Sequence, residues 1–239
     1  MRMKIPVDIP LIVHSNRAPI QRPQSLLEKQ GWRVQTCNAR AGETLPDPNS
    51  IQGAIIMGAT MGMYEHDTLP WMQQEMKWLE QVLAKNVPVY GICFGCHMLT
   101  QVYGGTVVKG DPGFVFGFTR VQQVADDDVF GQQLDGVEVF QAHQDTYTLP
   151  QTAKGLMVGD IYREQAAKFG ERVYGTQFHP EITTKFIEDW HQFGWEQQRA
   201  DGVYLPETVE EHVLLAEQKL PAPQAWFESF LANLFGQPE

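Results

Sequence analysis

Two short segments hold side chains able to do covalent chemistry. In Gly91-Ile92-Cys93-Phe94-Gly95 a thiol stands between an apolar run, Val87 to Ile92, and a predicted helix over Cys96 to Val102 that stops before Gly104-Gly105. A helix N-terminus offers unpaired amides and the positive end of a dipole, and both stabilise a thiolate placed there. The flanking glycines permit the tight turn that would present the sulfur. The second segment, Tyr174-Gly175-Thr176-Gln177-Phe178-His179-Pro180-Glu181, ends a predicted strand on a histidine and adds a carboxylate just past a proline. Histidine is the usual base for a cysteine, and a third group normally orients its ring. Taken singly, the cysteine reads as a buried inert thiol and the histidine as a surface residue beside a Pro-Glu turn. Taken together, Cys93, His179 and Glu181 make a nucleophile, a base and an orienting carboxylate for attack on a carbonyl carbon.

The pair of motifs resembles the class I (triad) glutamine amidotransferases, and more narrowly the stand-alone domains related to the glutaminase half of GMP synthase. The likeness extends over most of residues 9–190. Met57-Gly58-Ala59-Thr60-Met61-Gly62-Met63-Tyr64-Glu65 is similar to the family's oxyanion loop, and Gln141-Ala142-His143-Gln144-Asp145, with Leu149-Pro150 beyond, to its His-x-Asp segment beside the substrate. The resemblance implies an α/β fold, a mostly parallel central sheet flanked by helices with flavodoxin-like layering. It implies Cys93 as nucleophile, His179 as base and later acid, and Glu181 as holder of the ring. The amides of Ala59 and Phe94 would face the oxyanion. Gly58, His97 and His143 would lie around the substrate, with the backbone near Gln144 and Asp145 at its amino-acid end. The implied reaction is hydrolysis of the glutamine side-chain amide through a γ-glutamyl thioester on Cys93. The implied alternatives are a stand-alone γ-glutamyl peptide hydrolase and a non-catalytic binding or regulatory domain.

Two residues depart from the family pattern. Gly-Gly-Pro is replaced by Gly58-Ala59-Thr60, so a glycine and a rigid proline are lost; alanine would be strained if position 59 required φ > 0. His97 stands where the family carries a substrate-touching glutamine, and a neutral imidazole offers a different hydrogen-bond pattern from an amide. Both departures surround the acyl pocket, not the triad, which leaves the preference for glutamine open. His97 also completes a C-x-x-C-H string, the c-type haem attachment pattern. That reading needs an export signal and a flexible segment, and the sequence offers neither. A C-x-x-C redox site would have no use for His179-Pro180-Glu181, and a zinc site lacks a fourth ligand by spacing. No cofactor and no metal are expected.

The elements that must position these residues read as strand–helix alternation in the first half. Strands are predicted at residues 9–14, 32–37, 53–58 and 87–92, with helices at 22–30 and from Pro70 onward, where Trp71, Met72, Met76, Leu79, Val82 and Leu83 recur at helical spacing. Such alternation implies a mostly parallel, helix-covered sheet. A small β-rich portion follows, at 113–124, 137–142 and 166–178. The chain turns helical again from Ile182, with terminal helices at 207–220 and 224–235 separated by Pro221 and Pro223. The expected organisation is one domain, 1–195, with a helical extension, 196–239, packed on it. Large apolar residues of the C-terminal part, among them Trp190, Trp195, Trp226 and Phe230, are expected to pack against the main body; a homodimer interface is their sharper use.

The 239 residues are 43% hydrophobic and 20% charged, an ordinary globular balance. A net charge of −11 and the absence of a Lys/Arg run argue against a nucleic-acid partner. Pro6, Asp8 and Pro10 interrupt the apolar stretch a signal peptide needs, and no apolar run reaches the roughly 20 residues that span a bilayer. A cytoplasmic location and three free thiols, Cys37, Cys93 and Cys96, are therefore expected. With no phosphate loop and no length for an ATP-using domain, ammonia transfer would require a separate synthetase subunit.

Overall fold

The computed structural model describes residues 7–192, 202–204 and 208–238. Its first half is wound as the alternation predicts. β1 (Ile9–Val13) and β2 (Val34–Asn38) flank helix α1 (Gln21–Lys29), and β3 (Ala54–Ile56) and β4 (Val89–Ile92) flank α2 (Pro70–Leu83). A single 3-10 turn, Met63–Glu65, precedes α2. Helix α3 (Phe94–Val102) leaves β4 directly.

The β-rich portion comprises β5 (Thr106–Lys109), β6 (Phe114–Gln123), β7 (Glu138–His143), β8 (Asp145–Thr148), β9 (Lys154–Gly159), β10 (Glu164–Gly170) and β11 (Val173–Thr176). Helix α4 (Thr184–Gln192), strand β12 (Gly202–Tyr204), helix α5 (Val209–Lys219) and helix α6 (Pro221–Phe235) complete the described chain. The single extended run predicted over 166–178 is two strands, β10 and β11, paired antiparallel across a turn at Glu171-Arg172. The prolines predicted to separate the last two helices instead sit in the first turn of α6. There a missing N–H costs nothing and the fixed φ suits a helix.

Among the described residues the main sheet runs β12-β6-β9-β10-β11-β4-β3-β1-β2, with β7 also on β6. The half from β2 to β11 is parallel, and β10, β9 and β6 extend it antiparallel. Alternate residues of the parallel strands serve opposite faces, as a period of two demands. Leu11, Ile55 and Tyr90 pack with α1 and α6, whereas Ile12, Ile56 and Val89 pack with α2 and α3. Both faces are therefore buried, which is why these strands read as continuous apolar runs.

Helix α6 supplies Trp226, Phe227, Phe230, Leu231, Leu234 and Phe235 to the first of these cores. The boundary expected between residues 195 and 196, Trp195 with it, lies outside the described residues. No described helix is long and apolar enough to cross a membrane.

Candidate active site

The parallel register of β4 on β11 brings the two chemical segments together. Ile92 is paired with Thr176, and the Cys93 amide donates to the Thr176 carbonyl at 2.7 Å. The residue after one strand thus meets the turn that follows the other, three residues before His179. Cys93 turns the chain from strand to helix at φ 53° and ψ −105°, a conformation that costs a non-glycine residue on the order of 1–3 kcal/mol. The glycines on either side make the turn sterically feasible. A Cβ on Gly91 would stand 2.4 Å from the Gly95 carbonyl carbon, and one on Gly95 would stand 2.2 Å from the Ile56 carbonyl oxygen.

His179 and Glu181 are buried, and His179 Nδ1–H donates to Glu181 Oε1 at 2.8 Å. The other ring nitrogen, Nε2, is buried without a nitrogen or oxygen partner; the Cys93 thiol is the group within its reach. Burial pushes the His179 imidazole down. The Glu181 carboxylate and Cys93 more than reverse that, and the ring is raised to about 10. An orienting carboxylate on one nitrogen and a thiol beside the other is the arrangement that lets an imidazole take a proton from sulfur and later return it.

The loop after β3 leans on the same residues. A Cβ on Gly58 would stand 3.2 Å from His179 Cε1 and 3.8 Å from the Cys93 Cβ. Ala59 is not strained: among described non-glycine residues only Asn86 and Cys93 have positive φ. Phe94, whose amide follows Cys93, is buried as the first residue of α3.

His97 is 1% exposed, and its Nε2–H donates to Gln177 Oε1 at 2.6 Å. Gln177 in turn directs its amide at Cys93 Sγ, 3.7 Å away. The His97 ring is committed to supporting Gln177, a residue to which the sequence reading gave no role. Burial lowers the His97 ring to about 4 against that bond, so it is neutral at pH 7 and its Nδ1 is an unpartnered acceptor.

His143 lies between the Asp145 carbonyl, 2.9 Å, and Gln141 Oε1, 3.0 Å, and burial pushes it to about 3. The Gln144 carbonyl is taken by the Gly110 amide. The Asp145 carboxyl, raised by burial to about 6, accepts from the Tyr64 hydroxyl at 3.4 Å. The oxyanion-like loop and the β7–β8 segment therefore meet through Tyr64 and Asp145. Burial raises Cys96 to about 12 and Cys37 to about 11, so both remain protonated thiols at neutral pH.

Two further residues escaped the sequence reading. His14, just past β1, donates from Nδ1 to the Gly58 carbonyl, and Glu75 of α2 meets its other nitrogen. The only sequence signal was a carboxylate on the apolar side of α2. The predicted stripe is rotated in the structure, with Glu75 and Trp78 buried while Trp71, Met76 and Leu83 are half-buried.

Residues 27–188 match the family model described as glutamine amidotransferase class-I, two thirds of the chain. The chain belongs to the class-I glutamine amidotransferases. Of the solved structures this family member resembles, a glutamine amidotransferase from Thermotoga maritima superposes with a TM-score of 0.87 at 25% identity, covering 98% of this chain and all of that one. Among curated relatives, gamma-glutamyl peptidase 5 of Arabidopsis thaliana is 26% identical over 59% of this chain and 58% of its own. A subunit of the glutamine-hydrolysing GMP synthase of Archaeoglobus fulgidus is 34% identical over 41% of this chain and 54% of its own. This family member thus spans about half the length of the curated relatives it matches.

Proposed function

We propose that the chain hydrolyses the side-chain amide of glutamine. The Cys93 sulfur, its proton already held by His179 in a thiolate–imidazolium pair, attacks the amide carbon. The tetrahedral oxyanion rests on the amides of Ala59 and Phe94. Collapse breaks the C–N bond, His179 hands its proton to the departing nitrogen, and ammonia leaves a γ-glutamyl thioester on Cys93. Water, deprotonated by His179, then cleaves the thioester to glutamate and restores the thiol. Glu181 keeps the ring in the tautomer and orientation that both transfers need. Gly58, His143 and the Gln144–Asp145 backbone would bound the substrate, and His97 would act on it through Gln177.

The observation that carries this reading is the His179 ring. One of its nitrogens is held by Glu181, and the other is buried beside a thiol on a strained strand-to-helix turn. The relative that forms part of a GMP synthase supports transfer of the ammonia to a separate synthetase subunit. One specific feature favours a second reading, hydrolysis of γ-glutamyl peptides. The family's substrate-touching glutamine is replaced by His97, whose ring is bonded to Gln177, and one relative bears the name gamma-glutamyl peptidase.

The deciding experiment is hydrolysis of L-glutamine and a panel of γ-glutamyl peptides by the purified chain, with Cys93→Ser as control. Cys93-dependent release of ammonia from glutamine is the expected result. Turnover of the peptides alone would move the assignment to the second reading. No Cys93-dependent turnover with either, in the presence or absence of a synthetase partner, would overturn both.

A further inference from the structure

His14 and Glu75 are both fully buried in their side chains, with Nε2 3.0 and 3.1 Å from the two carboxylate oxygens. They come from distant parts of the chain, β1's exit and the middle of α2. A buried ion pair seldom adds net stability over a well-packed apolar pair, so its presence calls for another role. The other ring nitrogen fixes that role's direction. The Gly58 carbonyl, 3.1 Å from Nδ1, can only accept, so Nδ1 carries a hydrogen and the ring is locked as its donor. Glu75 holds the opposite nitrogen whichever of the two shares the remaining proton. The ring plane is set further by Phe94, edge-on at a centroid distance of 4.8 Å, and by Trp71 at 5.5 Å.

Gly58's carbonyl and Ala59's N–H belong to one planar trans peptide and point in opposite directions, so holding the oxygen aims the hydrogen. Gly58 itself abuts both His179 and Cys93. The loop here lacks the glycine and the rigid proline of the resembled pattern, so its backbone needs an external brace. We propose that Glu75 and His14 form a positioning dyad that fixes the Gly58–Ala59 peptide with the Ala59 N–H directed at the oxyanion formed on Cys93. The dyad touches neither the substrate nor the sulfur; it acts through the peptide. The inference rests on the thioester chemistry proposed above.

The test is the double variant His14→Phe/Glu75→Leu, which exchanges the buried pair for an apolar one and keeps an aromatic ring against Phe94 and Trp71. An oxyanion contact exists only in the transition state, so its loss lowers kcat and leaves KM in place. Loss of one such donor costs about 10²–10³-fold, and a misaligned donor is expected to lower kcat by about 100-fold. Alkylation of Cys93 by iodoacetamide, which builds no oxyanion, should proceed at the wild-type rate. Glu75→Gln should rescue most of kcat, because its amide can donate to Nε2 and preserve the Nδ1–H tautomer.

A folded double variant with wild-type kcat would overturn the dyad's role, as would a rise in KM alone or a parallel loss of alkylation. Should the double variant fail to fold, Glu75→Leu reads the same split, and unchanged kcat there overturns the proposal equally. A wild-type chain without Cys93-dependent turnover is a different failure, that of the amidase reading itself.

Discussion

Among the described residues two histidine–glutamate pairs are buried, and they are built in opposite ways. His179 and Glu181 stand two residues apart on one turn, while His14 and Glu75 are joined across 61 residues by the packing of α2 on the sheet. In the first pair one ring nitrogen is bonded to carboxylate and the other is left without a nitrogen or oxygen partner. In the second, both nitrogens are committed, to Glu75 and to the Gly58 carbonyl. An imidazole with a bare nitrogen beside a thiol can move a proton; one bonded at both ends can only hold its neighbours still. On the proposed reading the same two residue types serve transfer in one corner and geometry in the other. What separates them is the count of satisfied nitrogens, not the partner carboxylate.

That contrast can be broken most severely at the transfer pair. Cys93→Ala should abolish turnover, and His179→Ala should lower kcat by about 10⁶-fold, as removal of a triad base does; steady-state ammonia release measures both. Glu181→Gln should cost less, about 10⁴-fold, because the base survives without its orienting charge. If Glu181→Gln is silent while Glu75→Leu is not, the assignments of the two pairs are reversed.

The pH dependence of stability sharpens the same comparison. His179 is raised to about 10 in the folded protein, by Glu181 and Cys93 against the opposing burial. Its protonation therefore favours the folded state fully below the unfolded value of about 6.5, and that contribution is lost as pH rises through about 10. Urea midpoints measured from pH 6 to pH 10 should fall, and Glu181→Gln should flatten the decline. The smallest expected effect lies in the turn. Cys93→Gly, freed of the cost of φ 53°, should unfold at higher urea than Cys93→Ala by about 1 kcal/mol, both being inactive.

The parallel half of the fold was legible because its strands are short apolar runs bounded by turn residues, and its helices repeat at 3.6. The sequence also placed Cys93 at a strand-to-helix turn, where the structure has it. The alternation of β10 and β11 was lost within one extended run because Glu171-Arg172 is not a glycine–asparagine turn. The helix break expected at Pro221 and Pro223 failed because proline both ends and begins helices. His14, Glu75 and Gln177 were hidden for a common reason. Each acts through a contact set by tertiary packing, 44 to 84 residues away in the chain, and no local pattern marks such a partner. Glu75 at least interrupted an apolar stripe, and a buried carboxylate on a core-facing side is a signal that can be sought deliberately.

Helix α6 bears on the order in which the site can be made. Phe230 packs at 4.9 Å from the Tyr90 ring and 5.5 Å from Tyr174, the residues of β4 and β11 just behind Cys93 and His179. While a ribosome is still adding residues before 221, those two strands lack their cover and expose aromatic surface, the state in which growing chains associate wrongly. Assembly of the reactive corner must therefore wait for residues translated more than forty positions after its last side chain, and a chaperone engaging the nascent chain would find its binding surface on that uncovered face.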